Sequence, residues 1–341
     1  GIPGRFCHFC RIPICGSGGG TDRTCLVILH NGEAQYASNA GKAANADNAA
    51  KLNGLASEAY IQPQDNLLDN GYFEINQQNK AEYTGATYTI DRWQMSIARG
   101  KLNVNDRYVT LTNTSETGAQ YFRQPFEILF QEGDVLTLAV MLRGSGQGQL
   151  FLGDSATGAN IGGGLSFTPT DSWKVYIKTI KIGSIIPKYF TLACVGQNAR
   201  FDIKCAKTEY GPYFTGWPVW NYALELAKCQ RYALEMVSAS NNEHGKVGIG
   251  NVLNEITAVI FCPTPVSLRT MPSASFAGNF RLVESGRWGD GIPVTSINAN
   301  HVTTNGISLY VNTTGGLNVG KCYELVFSSS ERNSLLLNAN L

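Results

Sequence analysis

From Asn66 onward the chain is a succession of short apolar runs cut by turn residues, a pattern that antiparallel β structure accepts and few other folds do. Residues 108–112, 135–142, 149–152, 173–182, 189–195 and 201–205 each read as a strand. In the last of these, Phe201, Ile203 and Cys205 alternate with Arg200, Asp202 and Lys204, the period of a strand with one face buried. Turn signals separate the runs, among them Gln131-Glu132-Gly133-Asp134 and Gly144-Ser145-Gly146. This spacing predicts an antiparallel β-sandwich over 66–213.

A change of period follows. Tyr222, Leu226, Cys229, Ala233 and Met236 recur at steps of three and four, which predicts a helix over 222–237. Asn221 is placed to cap it, and Pro218 lies upstream where it does no harm. Further strands are expected at 255–262, 278–283, 308–311 and 323–328, with Leu335-Leu336-Leu337 closing the chain. The fold class expected is therefore mainly β, a sandwich followed by a helix and a second, smaller β domain over 214–341.

The first 65 residues differ in kind. Residues 1–36 hold four of the nine cysteines and a Gly18-Gly19-Gly20 run, and read as an accessory segment. Residues 37–65 are rich in Ala and Asn and nearly free of large apolar side chains. Alone, such a segment cannot offset its chain entropy. It is either a linker or a stalk that orders by winding with copies of itself. Opening at Gly1 without Met or a signal segment, the sequence reads as a fragment or an expression product.

Charge narrows the function. A net charge of +1, with no basic run, argues against a nucleic-acid partner, whose phosphates require clustered Lys and Arg. No apolar stretch approaches the ~20 residues that cross a bilayer as a helix. Charged residues are 16% of the chain, against ~25% in an average soluble domain, so the surface relies on short polar side chains. Amides, hydroxyls and aromatic faces are the groups that recognise sugars. The five later cysteines lie in apolar runs such as Leu192-Ala193-Cys194-Val195, and do not form a disulfide framework.

Several segments, in order, resemble phage and prophage tail-fibre proteins. Asn45-Ala46-Asp47-Asn48-Ala49-Ala50-Lys51-Leu52-Asn53-Gly54 is similar to a fibre-stalk element. The stretch Asn66-Leu67-Leu68-Asp69-Asn70-Gly71-Tyr72-Phe73-Glu74 resembles the opening of carbohydrate-binding jelly-roll modules, and Asp91-Arg92-Trp93 the strand that follows in phage versions. Arg123-Gln124-Pro125-Phe126-Glu127 and 133–138 continue the series, as does 165–173. Lys207-Thr208-Glu209-Tyr210-Gly211, then Trp217, then Glu225-Leu226-Ala227-Lys228-Cys229-Gln230-Arg231-Tyr232 is the most specific piece. Thr208 and Ala233 depart from the fibre pattern, which has Leu and Tyr there. The resemblance covers about 37–237. It implies a jelly-roll sandwich in a homotrimeric virion protein that is assembled in the host cytoplasm, joined to other tail or baseplate proteins, and bound at its tip to a bacterial polysaccharide or lipopolysaccharide. Neither nucleic acid nor membrane insertion is implied.

Candidate sites follow. Trp288, with Arg287 and Asp290 in a Gly-flanked loop, is the best single expectation for a sugar contact, because loops carry recognition more often than strands. Trp93 and Trp173 are expected to be structural. Cys7 and Cys10 have zinc-like spacing, but Cys15 and Cys25 are too far apart to supply a second close pair, so an accessory segment is the stronger reading. In the jelly rolls that the chain resembles, acidic residues of the first and last strands can share a structural calcium, and Glu74 and Asp202 stand at those positions. No other cofactor is expected. A glycan hydrolase or a purely structural appendage protein are the alternatives. The acidic residues form no recognisable catalytic pair, and neither a β-helix repeat nor a nucleophile elbow is present.

Overall fold

Alternation of apolar and polar residues gives a chain two faces per strand, and two such sheets must hide their apolar faces against each other. A computed structural model of the chain describes residues 26–28, 34–36, 51–52, 55–56, 63–154, 159–238, 245–287, 289, 291–328 and 332–340. Residues 1–61 and 62–341 are separate units. In the first, β1 (Leu26–Ile28) pairs with β2 (Ala34–Tyr36), and β3 (Lys51–Leu52) with β4 (Leu55–Ala56).

The second unit opens with β5 (Glu82–Thr84), β6 (Thr87–Tyr88), β7 (Gln94–Met95), β8 (Gly100–Asn105), β9 (Tyr108–Asn113) and β10 (Ala119–Pro125). Then come β11 (Val135–Gly153), β12 (Asn160–Phe167), β13 (Lys174–Lys181) and β14 (Tyr189–Tyr210). All pairings are antiparallel. The two long strands, β11 and β14, run side by side and serve both halves of the sandwich. Their one half pairs with β13 and β9, their other half with β12 and β10. One core lies between the halves, drawing Leu102, Leu111 and Phe201 from the first and Phe122, Leu150 and Phe190 from the second. Trp93 is fully buried in it, stacked on Phe122 at 4.7 Å and edge-on to Phe190. Its structural expectation holds.

The predicted helix is shorter than its stripe. α1 (Tyr222–Gln230) starts at the expected cap, where Asn221 Oδ1 accepts from Leu224 N at 3.2 Å. It stops seven residues early, because Ala233–Val237 is a strand, β15. Ala233 and Met236 fit the helical stripe, but the segment gains a ladder with the last strand and buries Leu234 instead. The remaining strands are β16 (Lys246–Asn254), β17 (Thr257–Pro263), β18 (Ser273–Ala277), β19 (Phe280–Glu284), β20 (Ile292–Thr303), β21 (Gly306–Thr313), β22 (Cys322–Phe327) and β23 (Ser334–Asn338). Six of them close a barrel in the order β16-β17-β21-β20-β19-β22, and β15-β23-β18 form a sheet whose Leu234, Leu335 and Leu337 share the barrel's core. The chain is mainly β and antiparallel.

The two cores are bolted together by polar contacts. Arg92, buried and held at φ 72, donates to Asp69 at 2.9 Å and lays its guanidinium 3.4 Å from the Tyr232 ring centroid. Gln77 Nε2 donates to Ala233 O at 2.7 Å, and Glu127 pairs with Arg269 at 2.9 Å.

Candidate glycan-binding face

Residues directly opposite each other in a ladder point to the same side of the sheet. On the second half of the sandwich, Leu150, Leu192, Phe122 and Met95 face the core. The neighbouring register therefore faces outward: Phe151, Thr191, Arg123, Gln94 and Tyr88 form one row across β11, β14, β10, β7 and β6. Tyr121 and Tyr189 stand on the same face, two residues from Arg123 and Thr191 along their strands. The Arg123 guanidinium lies 4.2 Å from the Tyr189 ring centroid and donates to Gln94 Oε1 at 3.3 Å. Tyr121 meets Phe151 edge-on at 6.3 Å.

This face is a trough. Ala119, Phe151, Thr191 and Ala193 are buried on its floor, and Tyr121, Arg123 and Tyr189 stand half-buried around them. Two polar atoms in it are buried without a hydrogen-bond partner, Arg123 Nε and Thr191 Oγ1. An unsatisfied buried polar group costs about 1–3 kcal/mol, and such a cost marks a strain or a binding role. A donor and a hydroxyl placed beside aromatic rings are the complement of a sugar, which offers hydroxyls at its edge and C–H bonds on its face.

Tyr88 also joins the row to a cleft of about 550 Å³ between the sandwich and the β15-β23-β18 sheet. Its lining includes Gln77, Tyr83, Asp91, Asn338 and Asn340. The Asn340 Oδ1 is a further buried polar atom without a hydrogen-bond partner. Burial pushes the Asp91 carboxyl up to about 6, opposed by hydrogen bonds from the backbone and side chain of Gln77. Burial likewise pushes the Tyr83 phenol above its usual range. Since Gln77 takes both oxygens of Asp91, this carboxyl is committed to structure.

The residues singled out from the sequence fall elsewhere. Trp288 and Asp290 lie outside the described residues, as do Cys7 and Cys10. Arg287, in the turn after β19, is exposed and 3.5 Å from Glu284. Asp202 is buried and fully engaged by Arg143 at 3.1 Å, Arg200 at 2.9 Å and the Thr110 hydroxyl at 2.8 Å. Glu74 is exposed and is not among the partners of Asp202. Among the described residues no group of three His, Cys, Asp or Glu side chains is placed to hold a metal. Trp173 is half-buried on the outside of the first half, not in the core. The trough has no contiguous signal in the sequence, because its residues sit on five strands and only Arg123 falls in a fibre-like motif, Arg123-Gln124-Pro125-Phe126-Glu127.

No family model matches the chain, and no curated protein sequence matches it. Among solved structures, the chain is similar to BiXyn10A CBM1, at 14% identity and TM-score 0.31 over 43% of this chain and 100% of that one. A family 29 carbohydrate-binding module matches at 12% identity and TM-score 0.28, over 37% and 87%. The N-terminal cellulose-binding domain of Cellulomonas fimi β-1,4-glucanase C matches at 10% identity and TM-score 0.29, over 44% and 99%.

Proposed function

We propose that this chain is a non-catalytic glycan-binding protein, the receptor-binding end of a phage tail fibre that adsorbs to a bacterial surface polysaccharide or lipopolysaccharide. The observation that carries the reading is the trough on the second half of the sandwich, where Arg123 Nε and Thr191 Oγ1 stand buried and unpartnered beside Tyr121 and Tyr189. A sugar entering it pairs these two atoms and stacks on a ring, which turns a folding cost into binding energy.

The fibre identity rests on the ordered motifs between Asn45 and Tyr232. As a trimer on the virion, three modest sites act together, and avidity raises the overall affinity without any new contact. Exposed apolar side chains at Leu129, Val219 and Leu224 are suited to burial against other copies or against tail proteins. The test is incubation of the purified protein with host surface polysaccharide. Binding without release of reducing ends supports the reading. Release of reducing ends replaces it with a depolymerase, and no binding removes it.

A further inference from the structure

The first half of the sandwich has an outer face of different character. Its cross-strand row runs Glu82, Asn103, Thr110, Asp202 and Arg143 over β5, β8, β9, β14 and β11. Beyond Arg143 stands Trp173, with the guanidinium 4.8 Å from its ring centroid and 6.0 Å from that of Tyr108. Tyr108 and Trp173 meet edge-on at 5.9 Å, and both remain partly open to solvent.

Two features set this face apart. The first is charge. Among the described residues of those five strands this side carries Lys101, Arg143, Arg200 and Lys204 with Glu82 and Asp202, besides the buried Lys207–Glu209 pair, an excess of two positive charges on a chain whose net charge is +1. The second is a break in the ladder. Met141 opposes Cys205 and Leu142 opposes Ile203, so Lys204 is an extra residue on β14, a bulge. Bulges re-aim side chains, and this one sends the exposed Lys204 ammonium to 5.9 Å from the Trp173 ring. Among the described residues Lys204 has no carboxylate partner.

The geometry points to a second carbohydrate site on this face, distinct from the trough and selective for an anionic glycan, a polyuronate. Asp202 holds Arg143 and Arg200 in place through both of its oxygens, which fixes two guanidinium groups at little entropic cost on binding. Arg200 and Lys204 are four residues apart on β14, roughly 10–13 Å of backbone once the bulge is allowed for. A single uronate cannot span that distance, whereas an oligomer with a carboxylate on each sugar meets both cations and lays a ring against Trp173 or Tyr108.

The test is calorimetric titration of the whole protein with galacturonate, glucuronate and mannuronate trimers, beside a neutral glucose trimer. At least one acidic trimer should bind, the neutral one at least 10-fold more weakly, and affinity should fall as salt rises from 50 to 500 mM, as ~8 Å screening at physiological salt requires. Arg200→Gln with Lys204→Gln, both at exposed positions, should reduce that binding by at least ~10-fold, about 1.4 kcal/mol. Arg123→Gln, in the trough, should leave it within ~2-fold, so that loss of one site is told from loss of the other. The inference is overturned if no acidic trimer binds, if the neutral trimer binds equally, or if the double variant binds as the parent does.

Discussion

Thr191 is where folding and binding part company. Its hydroxyl is buried on the trough floor with no partner, between the larger Phe151 and Arg123 in the row. Thr191→Val keeps the shape and removes the unpaired group. It should raise stability by about 1 kcal/mol in urea unfolding while weakening glycan binding. A variant that binds unchanged would show that the hydroxyl plays no part. Asp91 makes a second case. Its carboxyl titrates near 6 when folded, above the ~4 of an unfolded chain, so the folded state holds the proton more tightly. The stability this gives is full below pH 4 and is lost as pH rises to about 6, a change of about 3 kcal/mol. Asp91→Asn should flatten that part of the curve, as melting temperatures from pH 4 to 7 would reveal. Asp91 was marked in the sequence only as part of the Asp91-Arg92-Trp93 motif, and Thr191 not at all. Thr191 sits in an ordinary strand, and its distinction arises only because Arg123 and Phe151 come from distant segments in register.

At the scale of elements, the motifs that resemble tail fibres prove to be joints. Asn66 Oδ1 accepts from Leu68 N and Thr208 N, tying the first strand region to the last. Gln124 exchanges two 2.7 Å hydrogen bonds with the backbone of Asp69, and Glu225 of α1 accepts from Asn70 N at 2.8 Å. The Lys207-x-Glu209 pair is fully buried at 2.9 Å, with Lys207 also donating to Gly216 O at 2.8 Å and Glu209 accepting from Thr215 N at 2.9 Å. It pins the segment that leads into α1. Glu209→Leu alone should cost about 3–5 kcal/mol, because it strands a buried ammonium, and adding Lys207→Met should recover much of that in the same unfolding assay. The motifs therefore made the architecture readable, and of the trough they touched only Arg123, with no sign of its role. Strand positions were readable from alternation, but 135–153 was split in two by Gly144 and Gly146. Gly144 is at φ 149, and a Cβ there would lie 1.9 Å from Arg200 O, so this glycine marks a close strand approach, not a chain reversal. The helix was overrun because Ala233 and Met236 continue a helical stripe of threes and fours, whereas the face that packs in the strand is Leu234 and Met236, two apart, with β23 as the ladder partner.

At the scale of the molecule, the sandwich and the β15-β23-β18 sheet share an amide-lined cleft, and the sandwich carries a polar outer face on each of its two halves. Such a body suits a fibre tip, with rigid cores fixed and short polar side chains free to vary. If three copies assemble, light scattering of the whole chain should give a mass near three times 37.0 kDa, and a stable monomer would count against the fibre reading. The central claim is glycan recognition by the trough. Its most direct measurement is a glycan array with the parent protein beside Arg123→Gln and Tyr189→Ala. The account predicts a defined set of bacterial glycans bound by the parent, with at least ~10-fold loss in both variants, about 1.4 kcal/mol each. Glycan binding that survives both substitutions unchanged would contradict it.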